Sequence, residues 1–299
     1  MADVAATQVV RAQTIRRPLW NRRTQRMVSQ ALAYLFMSAL CFVFLIPFYW
    51  LISTSLKLRS QVWSFPPQWI PNPVVWSNYT EVFRVSPFFL WVRNTLVLVF
   101  WNILGSTLSN AAVAFPFARL RFPGRNFLFM LLISTMMIPG PVLMIPTFVM
   151  FKMIGWYNTY YPLIVPSFFG DAFFIFLLRQ YMMTIPFELD DAARIDGCSR
   201  FQLWWRILLP LCVPPLTIVV VYNFMGSWNA FMGPLIYLND SNKYPLGVGI
   251  AMFKNAFLNT TNWGLLMAAS VMMVLPCLVV YYFAQDKLIG GIASVGLKG

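Results

Sequence analysis

Histidine is missing from this 299-residue chain, and charge is scarce: Asp, Glu, Lys and Arg together make up 10% of it, against about 25% in ordinary soluble domains. Without an imidazole there can be no His-containing catalytic triad and no His-based zinc site, which excludes much of soluble enzyme chemistry. Acids are the scarcer sign, 9 Asp and Glu against 22 Lys and Arg, for a net charge of +13. The 4 cysteines, Cys41, Cys198, Cys212 and Cys277, form no Cys-x-x-Cys pair and are too scattered for a disulfide framework. They read as small hydrophobes. No lysine follows a glycine, so a G-x-x-x-x-G-K-[ST] phosphate loop is also absent.

What the chain has instead is apolar surface. Hydrophobic residues make up 59% of it, aromatics 17%, and the mean hydropathy is +0.66. One soluble core cannot absorb that composition, so lipid must solvate the rest. A charge at mid-bilayer costs a few kcal/mol or more, which makes charge-free runs the best map of the spans. Five runs are clean, each longer than the roughly 20 residues a span needs: Met27 to Leu56, Asn94 to Ala118, Asn126 to Phe151, Ile207 to Asn239 and Asn255 to Gln285. A sixth, Met153 to Leu178, contains only Asp171 and is expected to bend near Gly170 and Asp171. The expected fold is all-α, a polytopic bundle of six transmembrane helices. Pro47, Pro139, Pro141, Pro146, Pro276 and Gly105 interrupt the spans, as is common in membrane helices.

The basic residues read as topology rather than as a nucleic-acid face, which would need a polar domain to carry it. Arg11, Arg16, Arg17, Arg22, Arg23 and Arg26 precede the first run, and Arg119, Arg121 and Arg125 cluster between the second and third. With the N-terminus inside, 15 cations fall on inner segments and 7 on outer ones, so both termini are expected in the cytoplasm. The organisation predicted is a basic arm over 1–29, a permeating domain of six helices over 30–285 and a cytoplasmic tail over 286–299. The first run is too long for the apolar region of a secretory signal and should remain as an anchor. The outer segment Lys57 to Leu90, with Pro66, Pro67, Pro71 and Pro73, is expected to be a mostly extended interfacial cap.

Between the fourth and fifth spans lies the one substantial polar stretch of the second half, expected to form a short helix at about 186–197. Pro186 suits a first turn, Glu188, Asp190 and Asp191 complement the positive N-terminal end, Arg194 sits late, and Gly197 supplies the stop. Leu189, Ala192 and Ala193 recur at i, i+3 and i+4, giving a small apolar face with acids on the other. Helices that lie on lipid favour basic faces and bulky apolar residues. Acids and alanines suit a protein groove better.

These residues also carry a resemblance. Asp191-Ala192-Ala193, three residues, Gly197, nine residues, then Ile207-x-Leu209-Pro210 resembles the E-A-A-x3-G-x9-I-x-L-P signature of the integral membrane subunits of bacterial ABC importers, with Asp191 one methylene shorter than the signature Glu. Asp196 before the glycine matches as well. Arg119-Leu-Arg-Phe-Pro-Gly-Arg125, Phe176-Leu-Leu-Arg-Gln180, Ser227-Trp228-Asn229 and the Lys298-Gly299 terminus are similar to the carbohydrate-uptake branch, in particular permeases like the shorter maltose-type subunit. The resemblance implies a type I ABC importer permease without catalysis of its own. Its partners would be a homologous second permease, two ATPase subunits holding ATP and Mg, and an extracytoplasmic solute-binding protein that delivers a carbohydrate. It also implies that helix 188–197 is the coupling helix seated in an ATPase cleft. Leu189, Ala192, Ala193 and Gly197 would make the close contact, Glu188, Asp191 and Asp196 would orient it, and Phe201 would belong to the same contact. Lys298 and Gly299 would be a second ATPase contact. No cofactor or metal is expected in this chain.

Asn223, Trp228 and Asn229 in the fifth run, with Asn102 and Asn110 from the second, offer the stacking surface and hydrogen bonds a sugar needs, although helix packing is the commoner use of such residues. Asp171 is expected to cap the helix that follows it. The segment Tyr237 to Thr261 is either a solvated connector or a surface for the binding protein. A polyol phosphate or other non-sugar solute would need the same architecture. A multi-spanning membrane enzyme would need clustered ionisable groups at one depth, and the sequence has none.

Overall fold

The computed structural model describes residues 22–256 and 262–296. The contacts divide the chain into a first unit ending at Trp50 and a second beginning at Leu51. Helix α1 (Arg22–Ser55) runs through that boundary. In the first unit it is apolar all round, with Leu32, Phe36, Phe42 and Phe44 exposed, as befits a helix solvated by lipid. It already begins at Arg22, inside the segment that the sequence assigns to the arm. Residues 1–21 of that arm lie outside the described residues.

In the second unit the segment expected to form an outer cap is only partly extended. It folds into α2 (Arg59–Val62) and α3 (Ser77–Val85), and Asn78 Nδ2 donates to the Ser55 carbonyl at 2.8 Å and the Lys57 carbonyl at 3.1 Å, closing the end of α1. Next comes α4 (Phe88–Arg119), an unbroken second span. The third run is interrupted where its prolines stand, and it forms two helices rather than one kinked one. α5 (Arg125–Ser134) continues as a 3₁₀ turn, Thr135–Met137, and meets α6 (Gly140–Met153) at 98°. Pro139 and Pro141 remove backbone donors, and Ile138 is extended because it precedes a proline.

The fourth span does break where the sequence places the bend. α7 (Tyr161–Ile164) passes through a 3₁₀ turn, Val165–Phe169, to Gly170 at φ +84°, and α8 (Ala172–Thr184) starts afresh. Its limits are Tyr161–Thr184 rather than 153–178, because Gly155 (φ +77°) and Asn158 (φ +58°) turn the chain first. Asp171 caps α8, accepting from the amides of Phe173 at 2.9 Å and Phe174 at 3.3 Å.

After α9 (Glu188–Ile195), the fifth span is again a bent pair. α10 (Arg200–Gln202), a π-helical stretch Leu203–Leu208 and α11 (Leu209–Leu211) meet α12 (Val213–Trp228) at 78°, beside Pro210, Pro214 and Pro215. The helix stops at Trp228, short of the expected Asn239, and α13 (Met232–Tyr237) is separate. α14 (Leu246–Ala256) precedes the last span, α15 (Trp263–Gly296), which continues eleven residues into the segment expected to be tail. Among the described residues four helices can cross a membrane alone, and six spans result when each bent pair counts as one.

Helix α4 is the spine. One apolar cluster gathers its C-terminal half (Ala111, Ala114, Phe117, Ala118) with Ile175, Leu178 and Met182 of α8 and with Ala193, Leu208 and Val219. A second gathers its N-terminal half (Phe88, Trp91, Val99) with Trp228 of α12 and Leu265, Leu266 and Ala269 of α15. Gly105 marks a close approach on α4: a Cβ there would lie 2.5 Å from Ser167 Oγ and 2.6 Å from the Phe168 ring, on the broken fourth span. Gly105→Leu should therefore lower thermal stability in detergent by about 1–3 kcal/mol through overpacking. Gly226→Ala, where nothing lies within 4 Å of the added carbon, is the control and should melt within about 0.5 kcal/mol of the parent.

Candidate functional site at the acidic helix

The turn that ends α9 is a Schellman motif. Cys198 N–H donates to the Ala193 carbonyl at 2.9 Å and Gly197 N–H to the Arg194 carbonyl at 3.0 Å, with Gly197 at φ +79°. Ser199 starts the next helix with a capping box, its Oγ accepting from Gln202 N–H at 3.2 Å while Gln202 Oε1 accepts from Ser199 N–H at 2.7 Å. An eight-residue helix is too short to be stable alone, so these two stops and its seat on the chain hold it.

That seat corrects the facing read from the sequence. Asp190 is 2% exposed and Ala193 3% exposed, so this i, i+3 pair points into the chain. Ala193 packs in the same apolar cluster as Ala118, Met182 and Leu203, and the docking contact expected of it is not available. The outward face carries Glu188, Leu189, Asp191, Ala192, Ile195 and Asp196, with Phe201 beyond it. Ile195 is 87% exposed. The outward apolar stripe is thus Leu189, Ala192 and Ile195, spaced by three. The sequence placed Ala193 with Leu189 and Ala192 on the docking face; burial against α4 and α8 turns it inward, and Ile195, which the sequence reading did not consider, takes its place. Phe201 stacks against Trp205, with ring centroids 6.5 Å apart and planes at 5°, and both are exposed, widening the apolar rim.

Asp190 meets Arg119, the last residue of α4. The guanidinium Nη1 lies 3.7 Å from Asp190 Oδ1, with the two side chains 0% and 3% exposed. Arg119 Nη2 also donates to the Ile185 carbonyl at 2.9 Å, and its guanidinium lies 4.4 Å from the Phe187 ring centroid. In the sequence Arg119 reads as a topology charge and Asp190 as an acid complementing the positive end of the helix. Burial pushes the Asp190 carboxyl above the ordinary carboxylate value, and the nearby guanidinium of Arg119, then that of Arg194, pulls it back only in part. By contrast Asp191 and Arg194, 3.4 Å apart, are 70% and 61% exposed and form an ordinary surface pair. Above the seat opens a polar cleft of about 460 Å³ lined by Arg119, Arg121, Asp190, Asp191, Arg194 and Arg200.

The residues considered for a sugar path separate into distinct places. Asn110, fully buried, donates to the Ser106 carbonyl at 2.6 Å and accepts from Asp171 N–H at 2.6 Å, while Asn223 donates to Ser106 Oγ at 2.9 Å. This amide network ties α4 to the break of the fourth span and to α12. Trp228 is buried, stacked on Phe224 and donating Nε1–H to the Met273 carbonyl at 2.9 Å, which is a packing arrangement. Asn102 donates to the Leu98 carbonyl of its own helix, and Asn229 is exposed. Asn158 Oδ1 accepts from the amides of Asn239 and Asp240, and Thr95 Oγ1 of α4 accepts from Leu246 N–H at 2.7 Å, so the described part of the 237–261 segment is pinned rather than loose. Residues 257–261, and Lys298 and Gly299, lie outside the described residues.

Residues 110–292 match the family described as binding-protein-dependent transport system inner membrane component. The chain belongs to this family. It is therefore a multi-pass transport component of the inner membrane. It is 31% identical to the arabinooligosaccharides transport system permease protein AraQ of Bacillus subtilis, over 89% of this chain and 94% of that protein. It is likewise 31% identical to the inner membrane ABC transporter permease protein YcjP of Escherichia coli, over 93% and 99%. Its fold matches a chain of a bacterial ABC transporter involved in the import of the acidic polysaccharide alginate, with a TM-score of 0.78, 23% identity, and coverage of 91% of this chain and 100% of that one. The all-α permease fold and the family read from the acidic-helix motif both hold.

Removing one partner of a buried ion pair leaves the other charge uncompensated. Asp190→Ala should cost this permease roughly 3–5 kcal/mol, whereas Asp191→Ala, in the exposed pair, should cost less than about 1 kcal/mol. Thermal unfolding of the two purified variants, followed by fluorescence-detected size exclusion, reads the difference.

Proposed function

We propose that this chain is one of two permease subunits of an ATP-driven importer for an oligosaccharide, and that α9 is the element its ATPase grips. The observation that carries the reading is the outward face of α9. A short helix fixed at both ends presents Leu189, Ala192 and Ile195 between carboxylates, a shape and charge suited to a protein groove and unsuited to an anionic membrane surface. The match to a binding-protein-dependent family and the likeness to AraQ, whose name specifies arabinooligosaccharides, support the importer and the solute class.

On this reading ATP and Mg are held by a separate ATPase, and a solute-binding protein delivers the sugar on the opposite side. A second permease completes the pathway. Both termini and α9 lie on the cytoplasmic side, where Arg119, Arg121, Arg125, Arg179, Arg194, Arg200 and Arg206 concentrate. Leu189, Ala192 and Ile195 make the close ATPase contact, Phe201 extends it, and Glu188, Asp191 and Asp196 orient it through charged hydrogen bonds. Gly197 contributes by ending the helix. Lys298 and Gly299 form a second contact. Asn102 and Asn229 remain the candidates for touching sugar, and Asn110, Asn223 and Trp228 hold the helices that frame the path.

A cysteine at position 192 should cross-link to a co-purifying ATPase subunit in native membranes, and cross-linking only to lipid would sink the reading. Ala192→Trp should insert normally yet lower uptake roughly tenfold or more, equivalent to about 1.4 kcal/mol of lost coupling. In liposomes with the binding protein, arabinooligosaccharides should stimulate hydrolysis. Stimulation by glycerol phosphate alone would reassign the solute.

A further inference from the structure

Three features converge on Arg119. It ends α4, it is fully buried, and it holds the approach to α9 at three points: the Ile185 carbonyl, the Phe187 ring and the Asp190 carboxylate. At 3.7 Å the last contact stops short of a hydrogen bond, and Arg119 Nε, Arg119 Nη1 and Asp190 Oδ1 have no hydrogen-bond partner. A buried guanidinium and carboxylate facing one another with unused capacity form a contact that can tighten if α9 moves toward α4. Nine residues back along α4, about 13.5 Å at helical rise, Asn110 holds the amide of Asp171 at the break of the fourth span, and Ser106 receives Asn223 of α12. One unbroken helix therefore carries the α9 seat at one end and the amide hub of three spans toward its middle.

We infer that the Arg119–Asp190 pair is the positioning link that makes α4 follow α9, so that a displacement imposed on the acidic helix reaches the Asn110 network through α4. The inference rests on the importer reading and deepens it by naming the residues that pass on the motion. A purely structural pair would serve equally well if both charges were removed together, since no unpaired ion would remain. A linking pair would not, because neutral side chains lose the long-range attraction that draws the two helices together.

The experiment uses the complete transporter with its ATPase, purified from a background in which Cys41, Cys198, Cys212 and Cys277 are replaced, with Leu108→Cys on α4 as a reporter. Leu108 is exposed and outside both contacts. Trapping the ATPase with ATP and vanadate should change the rate at which a maleimide labels this position. The double variant Arg119→Gln with Asp190→Asn should still co-purify with the ATPase and lose that trapping-dependent change. A change of full parental size would overturn the inference. Should the double variant fail to assemble, Asp190→Glu decides: it keeps the charge pair while altering its reach by one methylene. A shifted trapping response at normal assembly upholds the link, and an unaltered response overturns it. Absence of ATPase from the parent preparation would sink the importer reading itself, an outcome separable from loss of the response in the variants alone.

Discussion

Lipid offers no hydrogen bonds, so a membrane helix that breaks must satisfy its freed backbone groups from within the protein. That constraint organises this chain more than any apolar contact, because the third, fourth and fifth spans are all interrupted. At the fourth, the Asp171 carboxylate takes the first free amides of α8, and the side-chain oxygen of Asn110 takes the amide of Asp171 itself. The Asn110 amide group is then supported by Ser106, which also receives Asn223. A chain of polar side chains thus exists because one helix stops in the wrong solvent. Its position commits α4, α8 and α12 to a common register.

Helix α4 can serve all of these because it is unbroken over its whole length. The third, fourth and fifth spans are interrupted, and α4 gives the fourth and fifth a continuous element to be held against. Close approach is achieved with small residues, Gly105 toward the fourth span and Ala111, Ala114 and Ala118 toward α8, in keeping with how helices pack where no hydrophobic driving force separates them from lipid. The polar ends differ in kind. At one end Asn94 donates to the Asn242 and Tyr244 carbonyls and Thr95 receives Leu246 N–H, all neutral bonds. At the other a full charge pair is buried.

Much of this was legible in the sequence, and the failures share a cause. Absence of charge located the spans, and the short polar interval between Thr184 and Pro210 located the acidic helix, its glycine stop and its family signature. The break at Gly170 and the Asp171 cap could be read because they depend on neighbours in sequence. The prolines of the charge-free run 126–151 mark its interruption, but neither they nor hydropathy give the sharpness of the bend, 98° between α5 and α6. The facing of α9 was also hidden. Leu189-Asp190-Asp191-Ala192-Ala193 accepts two stripes one residue apart, and only the position of Arg119, 71 residues earlier, selects the one that buries Asp190. Hydropathy treats an arginine beside a span as a topology marker whether it is solvated or enclosed, so pairing across such a distance shows only in the folded chain.

The buried pair is not explained by stability. Desolvation of Asp190 outweighs the attraction of Arg119 and Arg194, which is why its carboxyl is pushed upward despite two cations nearby. An apolar pair of similar volume would pack this seat at least as favourably. What charge adds is directional specificity: Asp190 answers the guanidinium, and a one-residue slip that brought the apolar Leu189 there would leave a buried cation without its acid. Such a slip would also turn the stripe of Leu189, Ala192 and Ile195 away from any partner. A helix of two turns, too short to hold its own rotation by propensity, gains from Arg119 the fixed azimuth that docking requires.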